Sequence, residues 1–439
     1  MSVEYLTLLL LVSLAGILLL GVPFAFATGI LAVVMAVTLF GSDSLLIIVS
    51  RINDMMGNQV LLAVPLFVLM GAFLERGGIA DRLFHVVHVW SGNLRGGLAI
   101  GVVVTGAVLA AMVGVVGAEV VTLGLVALPA MLRRGYDKHL SLGVICASGS
   151  LGTMLPPSIV LIIYGLVANV SISELFMAAT IPGLMLAGGY IIYVLAFGVV
   201  QPDKLPPAPA DDRPATVRGH MALGAQLLFP IGVIVAVLGS IYAGLATPTE
   251  AAGLGATAVL IIMAFEKTLS FEAISEAVRQ TARTIGPVVW IFFGANALVS
   301  VYAFAGGITF ITNAMSGIAL EPIGIILIMM LILFLMGMII DWIAIAFLAL
   351  PVFLPIVNSL GFDPIWFGIL FCLAVQVSYL TPPFGPAAFY LKSVTPAGIT
   401  LMDIYRSVIP FVAIQSCVLL LCLVFPGIVT WLPSVLAGR

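Results

Sequence analysis

The chain has 439 residues, 62% of them apolar and only 8% charged, with a formal net charge of −3 and a mean hydropathy of +1.28. Soluble domains carry about 25% charged residues, and so few charges cannot cover a water-soluble fold of this size. A soluble enzyme is therefore excluded. No Lys/Arg-rich run offers a surface to nucleic acid, and the partner the composition demands is a lipid bilayer.

Taken in order, the apolar runs are too long for the alternating segments of roughly ten residues that build a transmembrane barrel. The expected class is an all-α polytopic membrane protein, and at ~20 residues per span the length allows about ten to twelve crossings. Leu6 to Leu20 is the first run; it lacks a positive flank and more membrane sequence follows at once, so it reads as a retained span rather than a signal peptide. Ser44 to Asn58 is short, charged and too polar to span. His85 and His88 lack the acid of a zinc-binding helix, which favours interfacial packing over metal. Leu98 to Leu132 is interrupted by Gly114 and Gly117 and holds Glu119. Such a stretch is too long for one crossing and short for two, which predicts a re-entrant hairpin or a broken helix.

Ala147 to Val160 (ASGSLGTMLPPSIV) carries two consecutive prolines inside an apolar run. Residues 201–220 (QPDKLPPAPADDRPATVRGH) form a polar, proline-rich linker that divides the chain into halves 1–200 and 221–439. After it, Thr247-Pro248-Thr249-Glu250 has the pattern of a helix start. Residues 270–285 place Phe271, Ile274, Val278 and Ile285 on one face, an amphipathic helix suited to the interface. Ile323 to Val357 is a second long stretch, with Gly337 and Asp341, and Ala374 to Ala387 (AVQVSYLTPPFGPA) a second proline pair. The cysteines Cys146, Cys372, Cys417 and Cys422 all lie in apolar segments, so no disulfide framework is expected.

These pieces repeat. Pro65, Glu119 and Leu128-Pro129 recur 222 residues later as Pro287, Asp341 and Leu350-Pro351. At an offset of 226, Gly135-Tyr136-Asp137 pairs with Gly361-Phe362-Asp363, Cys146 with Cys372, and Pro156-Pro157 with Pro382-Pro383. Ordered matches with a slowly drifting offset mark two structural repeats. Repeated halves in a polytopic helical protein are the usual build of secondary transporters, with the site near the midplane where the repeats meet. The basic loop Arg133-Arg134-Lys138 has a Lys/Arg-free counterpart at 361–368, as inverted repeats would require.

The paired proline segments are the strongest candidate site. A proline lacks an N–H and clashes with the preceding turn, so each pair must interrupt its helix. At membrane depth the freed carbonyls are tolerated only where protein, water or an ion satisfies them. Ser148, Gly149, Ser150, Thr153 and Pro156 in the first copy, and Gln376, Ser378, Thr381 and Pro382 in the second, supply carbonyls and side-chain oxygens suited to a hard monovalent cation. The half-helix starts at Pro157, Ser158, Pro383 and Gly385 suit an anionic substrate. A proline kink in a packed helix is the plainer alternative. Glu119 and Asp341, beside Gly117 and Gly337, are candidates for coupling to sodium or a proton, against a plain polar contact between helices. No P-loop and no nucleophile–base pair is present, so neither ATP hydrolysis nor intramembrane hydrolysis is expected.

The segments PLFVLMGAFLERGG (65–78), GLVALPAMLRRGYDK (124–138), LGTMLPPSIVLIIYG (151–165), TPTEAAGLGA (247–256), LPVFLPIVNSLGFDPIWFGI (350–369) and LTPPFGPAAFYLK (380–392) resemble the large membrane subunit, DctM type, of tripartite ATP-independent periplasmic (TRAP) transporters. The resemblance runs from about residue 20 to 425. It implies a sodium-driven elevator in the bacterial inner membrane: a scaffold braced by arm helices (44–58 and 270–285) holding a transport domain with hairpins at about 98–124 and 323–341. It makes sodium the cation at the unwound segments 148–157 and 376–383. It also implies a separate small four-helix membrane subunit (DctQ type), a periplasmic substrate-binding protein and a carboxylate substrate. A receptor-independent or proton-coupled organic-anion transporter of the same two-repeat build is the alternative. This chain departs from many members in carrying Glu119 after Val116-Gly117-Ala118, where small hydroxyl residues are common, and Ala374, where Asn is common.

Overall fold

The computed structural model describes residues 2–91, 94–114, 117–206, 224, 227–316 and 320–436. Most of the expected linker, 207–220, lies outside them. Twenty α-helices and no strand are found among the described residues. The first half runs α1 (Val3–Leu19), α2 (Phe24–Phe40), α3 (Leu45–Met56), α4 (Ala63–Arg76), α5 (Ile79–Ser91), α6 (Gly97–Val113), α7 (Ala118–Arg133), α8 (Lys138–Gly149), α9 (Ile159–Ala168) and α10 (Ile172–Val200). The second runs α11 (Leu228–Tyr242), α12 (Pro248–Phe265), α13 (Phe271–Phe304), α14 (Gly307–Ser316), α15 (Pro322–Gly337), α16 (Trp342–Ser359), α17 (Pro364–Leu380), α18 (Pro386–Val394), α19 (Leu401–Val424) and α20 (Gly427–Leu436). Among the described residues, six helical stretches are long and apolar enough to cross a membrane, and eight shorter apolar helices accompany them.

The repeated Gly-Tyr/Phe-Asp motif has a local cause. Gly135 and Gly361 both take φ +76°, the left-handed conformation that closes a helix. Tyr136 and Phe362 N–H groups then reach back to Met131 and Val357 carbonyls, both at 3.1 Å. The following acids cap the next helix: Asp137 accepts from Leu140 N–H at 2.9 Å and Asp363 from Ile365 N–H at 2.7 Å. One motif stops a helix and starts the next in both halves.

The halves differ where α13 replaces two helices. Gly57-Asn58 ends α3, and Asn58 caps a short 3-10 turn before α4. The residues 222 positions later are Arg279 and Gln280, neither a breaker, so the amphipathic stretch expected at 270–285 continues without interruption to Phe304. Pro287 inside α13 deprives the Arg283 carbonyl of its partner, a local cost that leaves the helix intact because its flanks are packed on α2 and α4.

Packing is reciprocal between the halves. α9 lies on α16 and α18 on α7; α8 lies on α19 and α17 on α10; α2 lies on α13 and α4 on α12. The main core is built mostly from α4, α6–α10 and α15–α19, while α1, α2, α3 and the end of α13 share a smaller one around Leu31, Met35 and Val301. Outward-facing Leu8, Leu19, Val199, Leu254 and Leu331 are exposed, a belt far larger than a soluble surface tolerates and suited to lipid chains.

Candidate functional site

The first broken segment meets α17, the helix that runs into the second, within the larger core. α8 ends at Gly149, a 3-10 turn follows over Ser150–Thr153, and an irregular stretch through Pro156 and Pro157 leads to Ser158, the N-cap of α9. In the second half α17 remains helical through Leu380, and only Thr381 to Gly385 unwinds. This corrects the expected start of unwinding at Gln376. A residue before proline is disfavoured in the helical region and here two prolines follow in succession; the break falls on Thr381, which is extended (φ −94°, ψ 136°), and not earlier. The first copy likewise stays helical through Ser148 and Gly149. Both Pro-Pro peptide bonds are cis.

Ser150 and Gln376 occupy equivalent positions in the two repeats, and they touch: Gln376 Nε2 donates to Ser150 Oγ at 3.4 Å. Two residues not singled out from the sequence converge on the same point. Gln415 of α19 donates through Nε2 to Ser150 Oγ at 3.2 Å and to the Tyr190 hydroxyl of α10 at 2.8 Å. A lone amide in an apolar run was the available signal for Gln415, since intramembrane polar groups seldom lack a task. The remaining oxygens, Gln376 Oε1 and Gln415 Oε1, are buried and find no hydrogen-bond partner.

Most of the expected hydroxyls donate within their own turn. Ser150 reaches Ala147 O at 2.8 Å, Thr153 reaches Ser150 O at 2.9 Å, Ser158 reaches Thr153 O at 2.8 Å, and Ser378 and Thr381 reach Val375 O and Val377 O at 2.7 Å. A hydroxyl that donates to a carbonyl still presents lone pairs to a cation. Ser148 differs: its Oγ is fully buried and without a partner. In the second break, the hydroxyl of Tyr405 donates to the Pro383 carbonyl at 2.9 Å and lies 3.2 Å from that of Phe384.

The first hairpin, α6 and α7, closes over its own broken segment. Gly114 and Gly117 have positive φ (+60° and +109°), and a Cβ would lie 2.6 Å from Pro157 O at Gly114 and 2.9 Å from the Tyr390 ring of α18 at Gly117. That close approach carries Glu119, in the first turn of α7, against Gly152, where an added Cβ would sit 2.5 Å from one carboxylate oxygen. Glu119 is 2% exposed, and neither oxygen closes a sound hydrogen bond although both lie against the Gly152 backbone. Val116 lies outside the described residues.

The second hairpin, α15 and α16, ends differently. A Cβ at Gly337 would overlap Ser378 Oγ, so this glycine lets α15 close onto α17. Asp341 is open to solvent and caps α16, its Oδ1 accepting from Ile343 N–H at 3.0 Å, although it lies near Tyr379 and Tyr390, in the same region as Glu119. The expected pair of equivalent buried acids is therefore one buried acid and one helix cap. No cluster of three or more His, Cys, Asp or Glu suited to a metal occurs among the described residues. The unpaired oxygens are hydroxyl, amide and carboxylate, a donor set fit for a hard monovalent cation.

Comparison with known proteins places this arrangement. Residues 11–428 match the family model described as tripartite ATP-independent periplasmic transporter, DctM component. The chain is 30% identical to the C4-dicarboxylate TRAP transporter large permease protein DctM of Vibrio cholerae, over 98% of each chain. It is 31% identical to the isethionate TRAP transporter permease protein DctMQ of Oleidesulfovibrio alaskensis, covering 94% of this chain and 64% of that one. Its fold resembles the crystal structure of the Alcanivorax borkumensis YdaH transporter, with a TM-score of 0.66 at 14% identity, covering 92% of this chain and 97% of that one. The chain is a multi-pass inner-membrane permease belonging to the DctM family of TRAP transporter large subunits.

Proposed function

We propose that this permease takes up an organic acid by sodium-coupled secondary transport, with the paired breaks as the ion and substrate site. One observation carries the reading: the first proline-broken segment meets the helix that runs into the second, from the opposite repeat, at Ser150 and Gln376, surrounded by buried oxygens without partners. Such oxygens are costly to bury unless something satisfies them, and Ser148 Oγ, Gln376 Oε1 and the Glu119 carboxylate would hold the ion. The N-terminus of α9 at Ser158 and that of α18 at Gly385 would face the anionic group of the substrate. The reciprocal packing, with each half-helix seated on the other repeat's hairpin, supports motion of α6–α9 and α15–α18 as one body past α1–α4 and α11–α13, an elevator.

Relatives named for C4-dicarboxylate and for isethionate support an organic acid as cargo. The longer DctMQ relative supports a small membrane subunit as a separate partner of this chain, with a periplasmic binding protein delivering the cargo. Each sodium ion entering yields ~2.3 kcal/mol per 100 mV and ~1.4 kcal/mol per tenfold gradient, so two ions suffice to accumulate an anion without ATP.

Thermal unfolding of the purified chain in sodium against potassium or choline tests the ion. Saturating sodium a hundredfold above its Kd would stabilise by about 2.7 kcal/mol, and Ser148→Ala should reduce the shift. Uptake into proteoliposomes that is unchanged in choline would overturn sodium coupling and favour a proton carried by Glu119, the reading its unpaired carboxylate against Gly152 supports.

A further inference from the structure

Away from the broken helices, the end of α4 and the first half of α13 enclose a cleft of about 460 Å³ lined by Glu75, Arg76, Glu276, Arg279, Arg283 and neighbouring Gln280. Its depth in the bilayer follows from the charges. α13 carries Glu272, Glu276, Arg279 and Arg283 and then no charged residue up to Phe304; α4 carries none before Glu75 and Arg76 at its C-terminal end. Both helices therefore leave the hydrocarbon at this cleft, which puts its three arginines at headgroup level.

The acids of the cleft are already engaged. Glu276 pairs with Arg76, and Glu75 accepts from Gln280 Nε2 at 2.8 Å. Arg279 and Arg283, one helical turn apart and both exposed, meet no acid among the described residues. Val278, one position before Arg279, is also exposed, and the uncharged half of α13 begins directly after Arg283, offering apolar surface for acyl chains. Two planar guanidinium groups on one face, next to apolar side chains and at the membrane boundary, match the phosphodiester of a phospholipid better than a dissolved anion, which would gain nothing from the apolar neighbours.

We propose that Arg279 and Arg283 clamp the headgroup phosphate of an anionic phospholipid in the α4–α13 cleft. The lipid would fill the wedge between α4 and the polar half of α13, bracing the scaffold at the point where α13 replaces the α3–α4 break of the first half.

The test is native mass spectrometry of the full chain released from nanodiscs containing equal amounts of phosphatidylglycerol and phosphatidylcholine. The wild type should retain phosphatidylglycerol over phosphatidylcholine by roughly tenfold. Arg279→Gln with Arg283→Gln should lose one bound anionic lipid, whereas Arg51→Gln, an exposed arginine on α3, should lose none. Arg279→Lys with Arg283→Lys keeps the charge without the fork and should fall between; it also serves if the glutamine pair fails to fold. Inorganic phosphate added to the same sample should not displace the lipid. Equal retention of the two lipids by the wild type, unchanged retention by the glutamine pair, or displacement by inorganic phosphate would each overturn the proposal, the last by making free phosphate the ligand.

Discussion

In the first hairpin Glu119 lies just inside α7, 2% exposed, with both oxygens against Gly152; in the second, Asp341 stands 222 residues later at the N-cap of α16, exposed and bonded to Ile343 N–H. The sequence positions are equivalent, yet one acid is closed off from solvent and the other is open to it. The difference is made by the turn before each acid. Gly114 and Gly117 fold the first hairpin back tightly enough to press it on Pro157 and on Tyr390 of the other repeat. The second turn, Met338-Ile339-Ile340, has no such glycines and leaves its acid at the N-cap, open to solvent. A repeat therefore fixes where an acid falls along the chain, while the glycines around it fix whether that acid becomes an unpaired interior carboxylate or a helix cap.

The largest expected effect comes from removing that turn. Gly117→Val would place a branched side chain at φ +109° and into the Tyr390 ring, at a backbone cost of ~1–3 kcal/mol plus the overlap. Gly361→Ala, at a positive φ but with open space around it, should cost only about 1 kcal/mol. Thermal unfolding of both variants in one detergent would rank them; equal losses would mean that the tight approach to Tyr390 does not set the geometry of the first hairpin.

Next comes the acid itself. Without a bound cation Glu119 is a buried carboxylate lacking partners, so Glu119→Gln should raise stability in sodium-free buffer by ~1–3 kcal/mol and abolish any further gain from sodium. Asp341→Asn retains a capping side chain and should leave both quantities unchanged. Measured as melting temperature against sodium concentration, parallel curves for the two variants would erase the contrast between the hairpins.

Much of this architecture was legible because it depends on local rules. The Gly-Tyr/Phe-Asp motifs, the proline pairs and the apolar run lengths each dictate backbone geometry within a few residues, and their recurrence marked the halves. What could not be read depended on contacts across the repeats. Ser150 and Gln376 face each other only because α8 and α17 come together, and Gln415 joins them from 265 residues beyond Ser150. The continuity of α13 was concealed by treating 270–285 as a copy of 44–58, although Arg279-Gln280 in place of Gly57-Asn58 carried the information. The exposure of Asp341 was hidden for the same reason as the burial of Glu119: hydropathy places an acid within a run, not on a face of the folded turn.

Two smaller effects sharpen the comparison. Asp341→Ala removes a helix cap and should cost ~1 kcal/mol of stability while leaving sodium dependence intact, the reverse of what is expected at Glu119. Smaller still, and confined to the second half, is the role of Tyr405, whose hydroxyl satisfies the Pro383 carbonyl beside that of Phe384. The first break has an internal substitute, with Ser158 bonding Thr153 O, so it needs no donor from a distant helix. Tyr405→Phe should therefore cost about 0.5–1.5 kcal/mol and loosen only the turn before α18. Hydrogen exchange should then quicken at residues 384–388 and stay unchanged at 154–160; equal quickening in both would show that the two breaks are held as one unit rather than each by its own donor.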